Sequence, residues 1–220
     1  MKINPNNPLE PNPLQLPLAP ARGMLAGTPQ LCCDPASNRG RARSAPPLSR
    51  GGWEGFESNG QSGIKINIST QTLELFDDSG SLLRRYPVST ALNGAGEEQG
   101  SNCTPRGRHI IRARIGAGQP LNKVFVRRRP TGEIYTPQLG VQHPGRDWIL
   151  TRILWLSGCE PGYNRLGSCD TMRRYIYIHG TPDERAMGIP VSHGCVSMRN
   201  ADLLELFELV SVGTMVHISA

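Results

Sequence analysis

Two histidines and a cysteine lie close together in Ile178-His179-Gly180-Thr181 and Val191-Ser192-His193-Gly194-Cys195-Val196-Ser197-Met198-Arg199. A thiol is a good nucleophile only as thiolate, and a neighbouring imidazole can lower its pKa or take its proton. Gly194 permits a tight backbone turn, which frees the N–H groups of Gly194 and Cys195 to meet a developing oxyanion. The segment reads as a nucleophile, Cys195, a general base, His179, and a supporting imidazole, His193, that orients the base. Ser192 shapes the loop. Two other readings stay open on the residues alone. A free cysteine is often a small buried hydrophobe. His179, His193 and Cys195 could also hold a metal, but zinc needs a fourth ligand or a water, and His109, His143 and His217 stand alone. No metal and no cofactor is called for.

His179, then twelve residues (180 to 191), then Ser192-His193-Gly194-Cys195 resembles the signature of the L,D-transpeptidase (YkuD-like) catalytic domain. The run from Tyr175 to Thr181 and Thr104-Pro105-Arg106-Gly107 fit it too. The resemblance covers residues 63 to 220. Many members carry Arg or Asn two residues after the cysteine, where this chain has Ser197, with Arg199 two positions further on. Arg199 and Tyr177 are the expected substrate contacts.

The resemblance implies a cysteine-dependent acyl transfer on peptidoglycan stem peptides or muropeptides, in cell-wall metabolism. Cys195 would attack the carbonyl of the third residue, a diamino acid, and release the terminal D-alanine. An amine then resolves the thioester into a cross-link. Water in its place would make the protein an L,D-carboxypeptidase of peptidoglycan recycling. A non-catalytic module that binds wall peptides is the third possibility.

These groups need a scaffold, and the chain supplies a mostly β one. Ile64, Ile66 and Ile68 alternate with polar residues, as do Thr72 to Phe76, and Asp77-Asp78-Ser79-Gly80 is turn chemistry. Leu82 to Thr90 completes a three-stranded meander. Further strands are expected at 108 to 115, 124 to 128, 149 to 156, 175 to 178 and 214 to 219. One helix is expected near the C-terminus, with Asn200 as its N-cap, Leu203, Leu206, Phe207 and Val210 on its buried face, and Gly213 beyond its end. The resembled fold is a β-rich sandwich or barrel.

Residues 1 to 62 differ. Ten of the nineteen prolines fall in the first fifty positions, and no periodicity persists. Such a composition buries too little apolar surface to offset ordering entropy, so a disordered tail is expected, or translation from a start placed too far upstream.

The net charge is +6 at neutral pH and the pI about 9.2. That balance suits anionic partners. Eight Lys or Arg and no acid lie between Glu98 and Glu133, a solvated strand face or a surface for substrate carboxylates. Little aromatic interleaving accompanies them, which argues against nucleic acid. No apolar run approaches the ~20 residues of a membrane span. The N-terminus lacks the features of a secretory signal, so the chain as it stands reads as cytoplasmic, whereas the resembled family usually works in the periplasm or envelope. Of six cysteines, Cys159 and Cys169 bracket a Gly- and Pro-rich loop and could pair in an oxidising space; unpaired thiols suit a chain without an export signal.

Overall fold

The computed structural model describes residues 62–220. The reading of residues 1 to 62 as a tail falls, Ser62 apart, outside the described residues. From Gly63 onward alternation becomes strand. In β1 (Gly63–Asn67) and β2 (Thr72–Phe76), Ile64, Ile66, Leu73 and Leu75 are buried, and the alternating Lys65, Asn67, Thr72 and Glu74 reach solvent in part. The turn after β2 is held by the Asp77 carboxylate, which accepts the N–H groups of Ser79 and Ser81 at 2.9 Å each. It leads into β3 (Leu82–Pro87), completing the expected meander.

The last strand, β10 (Met215–Ser219), runs parallel to β1 on its other side and pairs in turn with β4 (Gly107–Ile115). Next comes β7 (Ile149–Gly158), the branch point. Its first two residues pair with β5 (Lys123–Val126), which forms a hairpin with β6 (Arg129–Ile134). Its later residues pair with β4, and β8 (Tyr177–Gly180) pairs with it from Leu150 to Trp155. The fork falls at Thr151, whose φ of +67° marks a bulge that re-aims the strand. Finally β9 (Val196–Met198) lies parallel to β8.

The chain beyond β3 then returns to β9. Ser89 N–H donates to Ser197 O at 2.9 Å and Ser197 N–H to Ser89 O at 2.8 Å. A ring of strands is thereby closed, so the mostly β, barrel-like architecture expected from the sequence is present. Ile64, Tyr86, Ile111, Leu154, Ile178 and Val196 fill one core. Helix α2 (Asn200–Leu209) adds Leu203, Leu206 and Phe207 to it. Burial of each such side chain contributes about 1.5–3 kcal/mol.

Four local expectations need correction. Asn200 is the first helical residue, not the N-cap; Arg199 holds that place without a side-chain cap. The Asn200 side chain is buried instead, accepting from Thr151 Oγ1 at 2.6 Å and donating to Thr181 O at 2.8 Å. Strand β8 begins at Tyr177, because Tyr175 has a φ of +58° that no strand allows. Arg127 and Arg128 form the turn of the β5–β6 hairpin and do not continue β5. Finally, β6 and a short helix, α1 (Pro137–Gln142), arise in stretches that show no periodicity. The signal for α1 is its cap: Thr136 Oγ1 accepts the Leu139 N–H at 3.2 Å and Pro137 sits in the first turn. Cys159 and Cys169 are free thiols. His109 is buried, with its ring nitrogens against Gly107 O (3.0 Å) and Thr171 Oγ1 (3.1 Å).

Candidate active site

Strand β8 ends in His179-Gly180, and both are buried. Gly180 is required by close approach. A Cβ there would lie 2.2 Å from Asn200 Oδ1 and 2.7 Å from Leu150 O. Parallel pairing sets His179 opposite Ser197 on β9. Cys195 immediately precedes β9, two residues from Ser197. Cys195, His179, His193, Ser192, Ser197 and Tyr177 all line one cleft of about 410 Å³.

The turn before the cysteine is tightly held. Gly194 has a φ of +131°, and a Cβ there would press on Ile176 at 3.2 Å. Ser192 Oγ donates to Cys195 O at 2.5 Å and accepts the Gly194 N–H at 3.3 Å. This engages one of the two N–H groups expected to receive an oxyanion. The Cys195 N–H meets no acceptor among the described residues. Thr104, of the Thr-Pro-Arg-Gly run, bolts the turn from behind. Its hydroxyl donates to Gly194 O and accepts the Ala91 N–H, each at 3.0 Å.

His179 Nδ1 lies 2.9 Å from Gly180 O. A carbonyl only accepts, so Nδ1 carries the proton and Nε2 is left basic. Gly180 O thus makes the orienting contact expected of His193. His193 is exposed on the cleft wall.

Burial lowers the His179 pKa, against the opposing charge of Asp147. Burial also pushes the Cys195 thiol up to about 12, although the Tyr177 N–H donates to its sulfur at 3.4 Å. Both groups therefore rest neutral. Of the two ways in which an imidazole can help a thiol, this environment favours proton removal during attack over a stored thiolate.

Tyr177 is buried at the cleft, and its hydroxyl accepts from Arg128 Nη1 at 3.0 Å. Arg199 is not among the lining residues. Its guanidinium bonds Asp183 O. Several lining residues were not singled out from sequence. Asp147 and Arg185 carry no local pattern. Arg174 donates to the carbonyls of Gly96 (3.0 Å), Glu97 (2.8 Å) and Cys103 (2.6 Å), so it shapes the loop beside the turn. Arg127 and Arg128 belong to the acid-free basic stretch, the one signal that pointed towards them.

The model of the L,D-transpeptidase catalytic domain family matches residues 61–218. A protein of Fuscovulum blasticum, encoded as ORF 5 in its ATP synthase subunits region and provisionally named an L,D-transpeptidase, is 26% identical over 206 residues, 93% of this chain and 94% of its own. YbiS of Escherichia coli (strain K12), with a similar provisional name, is 54% identical over 43 residues, 20% of this chain; that match spans 14% of YbiS. Among solved structures, an L,D-transpeptidase from Mycobacterium smegmatis is 17% identical, with a TM-score of 0.42 over 72% of this chain and 59% of the other.

Proposed function

Because the chain belongs to the L,D-transpeptidase catalytic domain family, we propose that it transfers an acyl group of a peptidoglycan stem peptide through Cys195. The observation that carries this reading is the tautomer of His179. With Nδ1–H given to Gly180 O, a basic Nε2 shares one cleft with the Cys195 thiol.

The reaction then runs in two halves. Cys195 Sγ attacks the carbonyl of the third residue as His179 Nε2 takes the thiol proton. The carbonyl oxygen becomes an oxyanion, which the Cys195 N–H receives. The C–N bond to the terminal D-alanine breaks, and the imidazolium returns its proton to the leaving amine. A thioester remains. An amine of a second stem peptide attacks it, losing a proton to Nε2; the C–S bond breaks and the thiol is restored. Ser192 and Thr104 hold the turn, and His193 contacts substrate at the rim. Water in place of the amine gives a carboxypeptidase by the same steps.

The test is to offer the protein a tetrapeptide-bearing muropeptide and weigh the products. A cross-linked dimer is expected, absent with Cys195→Ala. A tripeptide product alone would replace transpeptidation with hydrolysis. An unchanged substrate would leave a wall-peptide-binding module.

A further inference from the structure

The cleft is lined by Arg127, Arg128, Arg174 and Arg185, against one carboxylate, Asp147. Arg174 is spent on backbone carbonyls. Arg127 and Arg185 enter no ion pair among the described residues. Arg128 gives one N–H to Tyr177 and stacks on Trp155 and Tyr175, with its guanidinium carbon 4.6 Å and 4.8 Å from the ring centroids. Stacking fixes the plane of the fork and leaves other N–H donors free for an anion.

The backbone bears on this too. Val126 pairs with Arg129, so Arg127-Arg128 is a two-residue hairpin turn. Their φ values are +48° and +65°, a conformation for which Asn-Gly is preferred. Tyr175, beneath Arg128, is at +58°. Strain of this kind gathers where side chains are held for binding. Finally, Ser197 lines the same cleft and is fully buried, and its hydroxyl has no hydrogen-bond partner among the described residues. Such a hydroxyl is costly unless a ligand meets it.

We propose that Arg127, Arg128, Arg185 and the Ser197 hydroxyl form a carboxylate-binding subsite that selects acyl donors whose third residue carries a free side-chain carboxylate. Arg128 is the fixed anchor, Arg127 and Arg185 add charge, and Ser197 hydrogen-bonds the ligand at the cleft floor. The inference rests on the acyl-transfer reading of this site.

Two measurements test it. The first compares a tetrapeptide muropeptide whose third residue carries a free side-chain carboxylate with the same compound amidated there. Native protein is expected to favour the free acid in kcat/KM by about tenfold or more, the worth of one charge-assisted contact. In Arg128→Gln, and in the exposed-site variant Arg127→Gln, that ratio falls towards one, chiefly through KM. Arg128→Lys, which keeps charge but not the fork, lies between. The second measurement needs no turnover. Cys195 is alkylated with iodoacetate or with neutral iodoacetamide, and the modified peptide is weighed. Relative to free glutathione, native protein favours iodoacetate, and the arginine variants lose that preference. A ratio near one in native protein, or ratios equal in native and variant proteins, overturns the proposal. If neither muropeptide reacts, the acyl-transfer reading fails and the alkylation preference alone decides the subsite.

Discussion

At the scale of single residues, the pair Cys195 and His179 is set by enclosure more than by mutual charge. A thiol raised to about 12 is almost wholly protonated at neutral pH. Alkylation of Cys195 by iodoacetamide should therefore keep rising between about pH 6 and 9, with no plateau. A plateau near neutrality would mean a stored thiolate and overturn the neutral resting pair. In the proposed mechanism turnover needs unprotonated His179, whose pKa burial places below the usual 6.5. The acidic limb of the rate profile is thus expected below that value. His179→Gln removes the basic Nε2, and a loss of roughly 10²–10⁴-fold in acyl-enzyme formation follows from losing a general base. Equal rates in the native protein and this variant would pass the role to His193.

Elements matter through the polar side chains that join them. Thr104 links the turn before Cys195 to the loop around Ala91 by two hydrogen bonds. Thr104→Val keeps the shape and removes both. The Gly194 carbonyl and Ala91 N–H lose their partner at a buried site, so about 1–3 kcal/mol of stability should go, read as a lower midpoint in denaturant. Activity should fall further than stability explains, because the turn that aims the Cys195 N–H loosens. Unchanged kcat/KM in a folded Thr104→Val protein would show that the turn holds itself. Asn200 does the same work between α2, β7 and the end of β8. Asn200→Ala leaves the Thr151 O–H without its acceptor, although the oxygen still accepts the Asn122 N–H, and takes a donor from the Thr181 carbonyl, and a drop of similar size in midpoint is expected. A midpoint within experimental error of native would return Asn200 to the surface role of a cap.

For the whole molecule, the polar interior ties stability to pH. His109 sits fully buried, and burial brings its pKa from 6.5 to about 4. The folded state therefore holds it neutral, while the unfolded chain binds a proton below about 6.5. Between these values the unfolded state carries more protons, so stability falls as pH falls. The full effect is present above pH ~6.5 and is lost as pH drops towards ~4, amounting to about 3 kcal/mol. His109→Gln places an amide near the position of Nε2 and so retains a polar partner for Thr171 without a titrating group. Its unfolding midpoint should be lower at neutral pH and flatter across that range. A native pH profile that is already flat there would show that His109 can take a proton in place.

What could be read along the chain was whatever depends on near neighbours. Alternation of Ile64 and Ile66, or Leu73 and Leu75, marks strands because side chains two apart share a face. Leu203, Leu206 and Phe207 mark a helix by the same logic. His179 and Ser192-His193-Gly194-Cys195 could be recognised because the turn and the cysteine are adjacent in sequence. The sequence also held the basic stretch of Arg127 and Arg128, without saying what it faces. Folding alone brought Asp147, Arg174, Arg185 and the Arg127-Arg128 turn to the same cleft, since each comes from a different segment. It also chose Gly180 O as the partner of His179 Nδ1, made Asn200 a buried tether, and turned Arg199 away towards Asp183. These depend on which groups are enclosed together. Burial, tautomer and hydrogen-bond partner are properties of an environment built from distant residues, and no local pattern carries them.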